Sequence, residues 1–422
     1  MTPASRRTWR AGALVVAIVA LHVSVIGFAS AQLAPPPPTP VPPDGSLSPF
    51  PSALDTPADP LAVPELSAAS AVLAELSSGQ VLYAKDPRAR RSIASLTKIM
   101  TALLTLERTE PSEVVTVQPD AVIDDPGGVA ALGLRAGERI SVAHLLDALM
   151  LQSANDAAIA LADHVSGSED RFVRSMNRRA RRLGLQRTRF RSPNGLDDRG
   201  TSTAQDLVTL TRAAYRTDGF APIVAQMHAS VPAPDGSTRE LQNRNAMLWL
   251  YAGAVGVKTG YTSAAGYCVV AVAERDGRSL VAVVLGAPSD AFSDAAALLD
   301  HGFAAFEEHT FVEAGEPSGV VSLVGGAVPV ETGARLVALV ATAALDDVRR
   351  RIEVDPEAAY PPAPGERVAT LRVTIPGFDL GSVPLVVAAV PPPPAPPDGT
   401  WWGRAASAVA RGIGAAVSAI FG

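Results

Sequence analysis

Two apolar runs, Ala69–Leu76 and Gln80–Ala84, flank Ser77-Ser78-Gly79 and predict a β-hairpin. The hydrophobic spacing then lengthens: Leu96, Ile99, Met100, Leu103 and Leu104 recur at helical intervals. Val142, Leu145, Leu146, Leu149 and Met150 repeat that spacing behind Ser141, whose hydroxyl suits an N-cap. Three apolar strands follow, one ending near Val257, then Tyr267–Ala273 and Ser279–Ala287, the last pair joined by a tight Asp276-Gly277 turn. A helix from about Asp290 to Phe306 closes this half. Early strands, middle helices and late strands predict an α+β domain over residues 66–306, an antiparallel sheet covered by helices.

Past Val312 the apolar runs shorten. Val320–Val324, Arg335–Ala341, Val368–Ile375 and Ser382–Val390 are separated by Gly and Pro and predict a small all-β domain over 310–390. The ends of the chain follow other rules. Arg6, Arg7 and Arg10 precede the apolar run Ala11–Phe28 and then Ala29-Ser30-Ala31, the pattern of a signal peptide over residues 1–31 or of a retained N-terminal anchor. Of the 36 prolines, 18 cluster in 32–65 and 391–399, which read as extended linkers. In 400–422, Trp402, Ala406, Val409, Ile413, Val417 and Ile420 share one helical face, with Arg404, Ser407, Arg411 and Ser418 opposite. Arg411 interrupts the apolar run, so this helix is expected to lie on a membrane surface rather than cross it; packing on the protein itself is the plainer alternative. The folded part is therefore expected outside the cytoplasm, at the outer face of the cytoplasmic membrane.

Composition narrows the chemistry. A net charge of −6 gives no electrostatic reason to expect a nucleic-acid partner. Cys268 is the only cysteine, which excludes an intramolecular disulfide and a thiolate metal cluster. The histidines are scattered, with no H-E-x-x-H or G-x-S-x-G, so neither a zinc peptidase nor a Ser-His-Asp hydrolase is supported. Nine arginines fall between Arg171 and Arg191. Phe172, Met176 and Leu183 mark a buried side there, so most of the arginines form a solvated helix face, with contact to anionic wall polymers or lipid headgroups as the functional alternative.

Three short motifs carry the catalytic argument: Ser95-Leu96-Thr97-Lys98, Ser153-Ala154-Asn155 and Lys258-Thr259-Gly260. Each alone is a weak signal, but their order and settings make a strong one. Ser95 begins the first helix, and Lys98 follows one turn along the same face. A serine hydroxyl needs a base to become a nucleophile. Lys98 can be that base only if burial or a neighbouring cation keeps it neutral, and Lys258 is the candidate cation. Ser153 is expected to pass a proton to the leaving amine, and Asn155 to orient Lys98 or the substrate amide; plain helix capping by Asn155 and Asp156 is the bland reading. Lys258 and Thr259 are expected to meet a carboxylate at the end of a strand, where Gly260 leaves room for a substrate to pair with the strand edge. The backbone N–H groups of Ser95 and Tyr261 would form an oxyanion hole.

At these residues the chain resembles the low-molecular-mass penicillin-binding proteins, the D-alanyl-D-alanine carboxypeptidases. The likeness extends through Ala94–Thr101, Leu149-Met150-Leu151, Ser153–Ala157, Leu183-Gly184-Leu185, Asn194-Gly195-Leu196-Asp197, Gly256–Thr262 and Ala265-Gly266-Tyr267. It implies a transpeptidase/β-lactamase-like domain followed by the family's small β domain and an amphipathic membrane anchor. It also implies removal of the terminal D-alanine from peptidoglycan stem peptides through an acyl-enzyme on Ser95, β-lactams as covalent inhibitors, and no metal or cofactor. One departure stands out: several members carry an Arg near the start of the last catalytic-domain helix, where this chain reads Asp290-Ala291-Phe292-Ser293-Asp294. A serine β-lactamase shares the motifs, but no Glu lies between Glu169 and Glu240 to act in deacylation. The alternative from another class is a non-catalytic wall-binding scaffold that retains the fold; intact Ser95, Lys98, Ser153, Asn155 and Lys258 argue against it.

Overall fold

A computed structural model describes residues 54, 59, 61–123 and 129–388. The expected signal segment (1–31), the second linker (391–399) and the amphipathic helix (400–422) lie outside the described residues. Among the described residues no helix is long and apolar enough to cross a membrane.

The chain starts with the antiparallel pair β1 (Ser70–Glu75) and β2 (Val81–Lys85), then β3 (Arg91–Ser92) and a 3-10 turn, Ala94–Thr97, that runs directly into α1 (Lys98–Leu106). Next come β4 (Val114–Thr116), β5 (Arg139–Ser141), α2 (Val142–Leu151), α3 (Asn155–Ser166), α4 (Glu169–Arg182), β6 (Thr201–Ser202), α5 (Ala204–Tyr215) and α6 (Phe220–Ala225). A hairpin of β7 (His228–Pro232) and β8 (Thr238–Gln242) and the short α7 (Met247–Leu250) lead into three long strands, β9 (Ala254–Thr262), β10 (Gly266–Arg275) and β11 (Arg278–Ala287). The helix α8 (Phe292–Ala305) follows.

The central sheet has the order β2-β1-β11-β10-β9, with every pairing antiparallel. Its middle strands are buried on both faces, and the period of two decides which core each residue joins. Val72, Ala74, Val270, Val272, Val281 and Val283 face the helices α1 to α5. Leu73, Val269, Ala271, Leu280, Ala282 and Val284 face α8. Each fully buried Val or Leu contributes about 1.5–3 kcal/mol, so a one-residue slip of β1 against β11, which would exchange the two sets, is strongly disfavoured. Helix α1 lies deep in the first core, with Ile99, Met100, Ala102, Leu103 and Leu104 fully buried. That depth carries Lys98, at the helix start, out of water.

Past α8 the chain turns into β12 (Phe306–Val312), which pairs with β15 (Leu336–Ala341). A five-stranded sheet of β13 (Pro317–Leu323), β14 (Gly326–Thr332), β16 (Arg349–Val354), β17 (Arg367–Ile375) and β18 (Phe378–Val387) completes this part, in the order β13-β14-β18-β17-β16. It has its own core of Phe311, Val321, Val330, Val368, Val373 and Leu385. Phe306 and Leu339 instead pack into the core beneath α8. The Gln80 side chain brackets Leu339, accepting its N–H at 2.9 Å and donating to its carbonyl.

The α+β class follows the hydrophobic pattern, and three local details differ from it. Ser95 sits in the 3-10 turn rather than in the helix, which begins at Lys98. Residues 306–312 form a strand, and Glu307-Glu308-His309 show why no alternation announced it. The strand β16 reads Arg-Arg-Arg-Ile-Glu-Val and is exposed throughout, so it too lacks the alternation of a half-buried strand.

Candidate active site

The three motifs meet at one place. The 3-10 turn holds Ala94 at φ 44°, a left-handed conformation costing on the order of 1–3 kcal/mol for a residue with a side chain. That twist turns the chain from β3 into α1 and leaves Ser95 half-buried while Ala94, Leu96 and Thr97 are buried around it. Lys98 is fully buried, and its Nζ stands 3.0 Å from Ser95 Oγ, 2.8 Å from Asn155 Oδ1 and 2.7 Å from the Asn194 carbonyl oxygen.

This set of partners has a chemical consequence. A neutral amine has two N–H groups and one lone pair. The two carbonyl oxygens accept the two N–H groups, and the lone pair is left for the Ser95 hydroxyl to donate into. The charge balance points the same way. Burial holds Lys98 well below the ordinary lysine range, the cations Lys258 and Arg244 push it further down, and Asp156 pulls partly against them.

The second motif occupies the sharp turn between α2 and α3. Ser153 is buried and held at φ 63°, and its hydroxyl has no hydrogen-bond partner in the chain among the described residues. Asn155 is the first residue of α3, and Ala154, not Asn155, holds the cap position. The Asn155 amide is spoken for at both ends: Nδ2 donates to the Ala130 carbonyl at 2.9 Å, which turns Oδ1 toward Lys98. Asp156 does not cap α3 in the expected way. Its carboxylate accepts the N–H groups of Leu132 (2.9 Å), Gly133 (2.9 Å) and Leu134 (3.1 Å), which ties down the loop that supplies Ala130.

The third motif lies on β9, the edge strand of the central sheet, so one row of its backbone groups has no strand partner. Lys258 is 1% exposed, and burial first, then Arg244, lowers it to about 7. Thr259 and Tyr261 are partly exposed, with the Tyr261 ring stacked on Tyr267 at 4.5 Å. Gly260 has a packing role of its own. A Cβ there would stand 3.0 Å from the Ile93 carbonyl oxygen and 3.1 Å from Ser95 N, so the absent side chain lets β9 press against the turn that carries Ser95. Gly195 acts likewise from the other side: at φ 86°, a Cβ would stand 2.0 Å from the Ala94 carbonyl oxygen.

Arg244 is the site residue that motif reading missed. Its backbone N–H donates to the Leu151 carbonyl at 3.0 Å, which places it beside the Ser153 turn, and its charge depresses both lysines. Nothing local in Asn243-Arg244-Asn245 announces it; that both flanking asparagines are buried emerges only in the structure. The carbonyl of Asn194 was equally invisible, because a backbone oxygen has no side-chain signature. Asp290 and Asp294, where an Arg had been sought, have structural work instead. Asp290 caps α8 through the Phe292 and Ser293 N–H groups, and Asp294 accepts from the N–H groups of Ser67 and Ala68. Among the described residues no group of His, Cys, Asp and Glu is placed to hold a metal ion.

A central antiparallel sheet with a buried lysine against a half-buried serine defines the penicillin-binding class of fold. The family model described as D-alanyl-D-alanine carboxypeptidase, peptidase family S11, matches residues 57–289. The D-alanyl-D-alanine carboxypeptidase DacF of Bacillus subtilis is 30% identical over 328 residues, 75% of this chain and 84% of that one. The carboxypeptidase DacB2 of Mycobacterium tuberculosis is 37% identical over 257 residues, 59% of this chain and 86% of that one. The crystal structure of penicillin-binding protein 5 from Haemophilus influenzae superposes with a TM-score of 0.64 at 29% identity, covering 78% of this chain and 98% of that one. The chain belongs to the D-alanyl-D-alanine carboxypeptidase family of serine peptidases.

Proposed function

We propose that Ser95 is the acyl-accepting nucleophile of a serine D-Ala-D-Ala carboxypeptidase that trims peptidoglycan stem peptides outside the cytoplasmic membrane. The observation that carries this reading is the buried Lys98 amine, whose N–H groups are taken by Asn155 and Asn194 and whose third contact is Ser95 Oγ at 3.0 Å.

The substrate lies along the open edge of β9 as an added strand. Its terminal carboxylate meets Lys258 and Thr259, with Arg244 supplying further positive charge. That assignment replaces the Arg missing near Asp290. The scissile carbonyl oxygen then points at the N–H groups of Ser95 and Tyr261, where negative charge develops during attack. Lys98 takes the proton of Ser95 Oγ as the oxygen bonds to the carbonyl carbon. The tetrahedral intermediate collapses as the C–N bond breaks, and the proton held by Lys98 reaches the departing amine through the unpartnered hydroxyl of Ser153. Once the D-alanine has left, Lys98 takes a proton from water as the water oxygen bonds to the ester carbon; the C–Oγ bond then breaks, and the proton returns from Lys98 to Ser95 Oγ. β-Lactams acylate Ser95 by the first half of this cycle, because their amide occupies the place of the D-Ala-D-Ala bond.

The test is incubation with a pentapeptide ending in two D-alanines, followed for free D-alanine, alongside labelling by a fluorescent penicillin. Wild type releases D-alanine and takes up one label, and Ser95→Ala loses both by more than about a thousandfold. Full activity in Ser95→Ala would refute the assignment. A folded wild type that takes up no label would mark the chain as a scaffold.

A further inference from the structure

We propose that the arginine-lined groove beside α4 is a binding site for an extended phosphate-bearing polymer of the cell envelope, separate from the reacting centre. The groove has a volume of about 790 Å³, and its walls include Arg90, Arg174, Arg178, Arg181, Arg187 and Arg189. These six come from three stretches of chain: the approach to β3, one face of α4, and the turn and bridge that follow it. No Asp or Glu lines the groove. All six are exposed, and none forms an ion pair among the described residues. Two neighbouring carboxylates form no ion pair with these six. Glu107 pairs with Arg179, and Asp206 accepts from the Arg187 N–H and the Thr188 hydroxyl.

Helix chemistry accounts for part of this charge and no more. Arg179, Arg181 and Arg182 lie in the last turn of α4, where cations favour the negative end of the helix dipole. That leaves Arg174 and Arg178 in mid-helix, and Arg90, Arg187 and Arg189 off the helix altogether; Arg178 donates to Ser175 Oγ and Arg187 to the Arg88 carbonyl, contacts that offset none of the charge. Concentrating uncompensated guanidinium groups costs self-repulsion, in a chain whose net charge is −6.

Shape and spacing select the ligand class. Guanidinium groups bind phosphate oxygens through paired N–H donors. Arg174, Arg178 and Arg181 run along one helix face over about 10 Å, so a single phosphate would engage only a part of the row. Arg187, in the turn after α4, and Arg189, in the bridge to Thr201, both line the same groove. A trough lined in this way suits a chain of regularly spaced phosphates; a flat bilayer surface would need a projecting patch instead. The groove wall also runs on into the site. From Arg189 the same segment leads to Pro193, whose carbonyl accepts from Thr101, and to Asn194, whose carbonyl accepts from Lys98. A polymer held here would keep the enzyme against the wall that contains its substrate.

The experiment uses the full chain and end-labelled short-chain inorganic polyphosphate, read by fluorescence anisotropy at low and high NaCl. Inorganic phosphate serves as competitor, and phosphatidylglycerol vesicles are tested separately by co-sedimentation. Wild type is expected to bind polyphosphate with an affinity that falls steeply with salt. Arg178→Glu/Arg181→Glu/Arg187→Glu should weaken binding at least about tenfold and flatten the salt dependence. Arg349→Glu/Arg351→Glu on β16 should change binding less than about twofold, and both variants should label with fluorescent penicillin as wild type does. Three results each overturn the proposal: polyphosphate binding unchanged in the triple variant, inorganic phosphate competing as well per phosphate as the polymer, or capture by vesicles without capture of polyphosphate. Penicillin labelling reports on Ser95 alone, so loss of one reading leaves the other standing.

Discussion

At the residue scale, the site depends on holding two ammonium-bearing side chains in a place that disfavours their charge. Burial lowers Lys258 from the ordinary 10.5 to about 7. Its unfolded form therefore binds more protons than its folded form between pH 7 and 10.5, and stability rises with pH across that window. The penalty is greatest below pH 7 and amounts to a few kcal/mol. Lys258→Met is accordingly expected to raise the melting temperature by several degrees at pH 6, with the advantage fading toward pH 10, while kcat/KM falls more than about a hundredfold. Thermal melts of both proteins across that pH range check this, and an equal or lower melting temperature for the variant at pH 6 would contradict it. The same titration shapes activity. In the free enzyme kcat/KM should rise as Lys98 loses its proton and fall as Lys258 loses its own near pH 7. Arg244 pushes both lysines down, so Arg244→Gln moves both limbs of that profile to higher pH. It should also raise KM by about 10- to 100-fold through loss of a charge facing the substrate carboxylate. A profile that keeps its limbs in place would remove Arg244 from the site's electrostatics.

At the scale of elements, the reacting groups are aimed by the tight packing of the segments that carry and flank them. The 3-10 turn, the loop 192–195 and the edge strand β9 press together so closely that a Cβ at Gly195 would collide with the Ala94 carbonyl and one at Gly260 would crowd the Ile93 carbonyl and the Ser95 N–H. Gly195→Ala meets both a positive φ and the Ala94 carbonyl, so it should cost several kcal/mol of stability and slow acylation together. Asp156 holds the loop 130–134 through three N–H groups, and that loop in turn holds Asn155. Asp156→Asn is expected to cost about 2–4 kcal/mol. Because Asp156 raises Lys98, its removal should also shift the acid limb of acylation to lower pH. Stopped-flow penicillin acylation across pH separates that shift from simple loss of folded protein. The motif order and helical spacing made Ser95, Lys98, Ser153, Asn155 and Lys258 legible in the sequence, because each pairs a reactive side chain with a recognisable element. Asn194 and Ala130 contribute through backbone oxygens, which any residue has. Arg244 was hidden for another reason: its partners on α2 and β9 are remote in sequence, and nothing local distinguishes it from a surface arginine.

At the scale of the molecule, every contact named at Lys98 and Lys258 comes from residues 94–259, and none comes from the β-rich part beyond α8. That part reaches the catalytic body through Phe306 and Leu339, buried beneath α8, and through the bracket that Gln80 forms around Leu339. Its contribution is thus to cover apolar surface on the face of the sheet opposite α1, and the relative DacB2 is matched over 86% of its length by only 59% of this chain. A chain ended after Ala305 loses the burial of two large apolar side chains, about 1.5–3 kcal/mol each, and should melt roughly 10 °C lower. Its rate of acylation by penicillin should stay within about twofold of the full chain below that transition, since the lysine environments are untouched. The two measurements are a melting curve and a stopped-flow acylation rate on the same preparation. A tenfold drop in rate with the fold intact would mean that strain passes through the sheet from β11 to β9, and that the β-rich part shapes the site rather than shelters the core beneath α8.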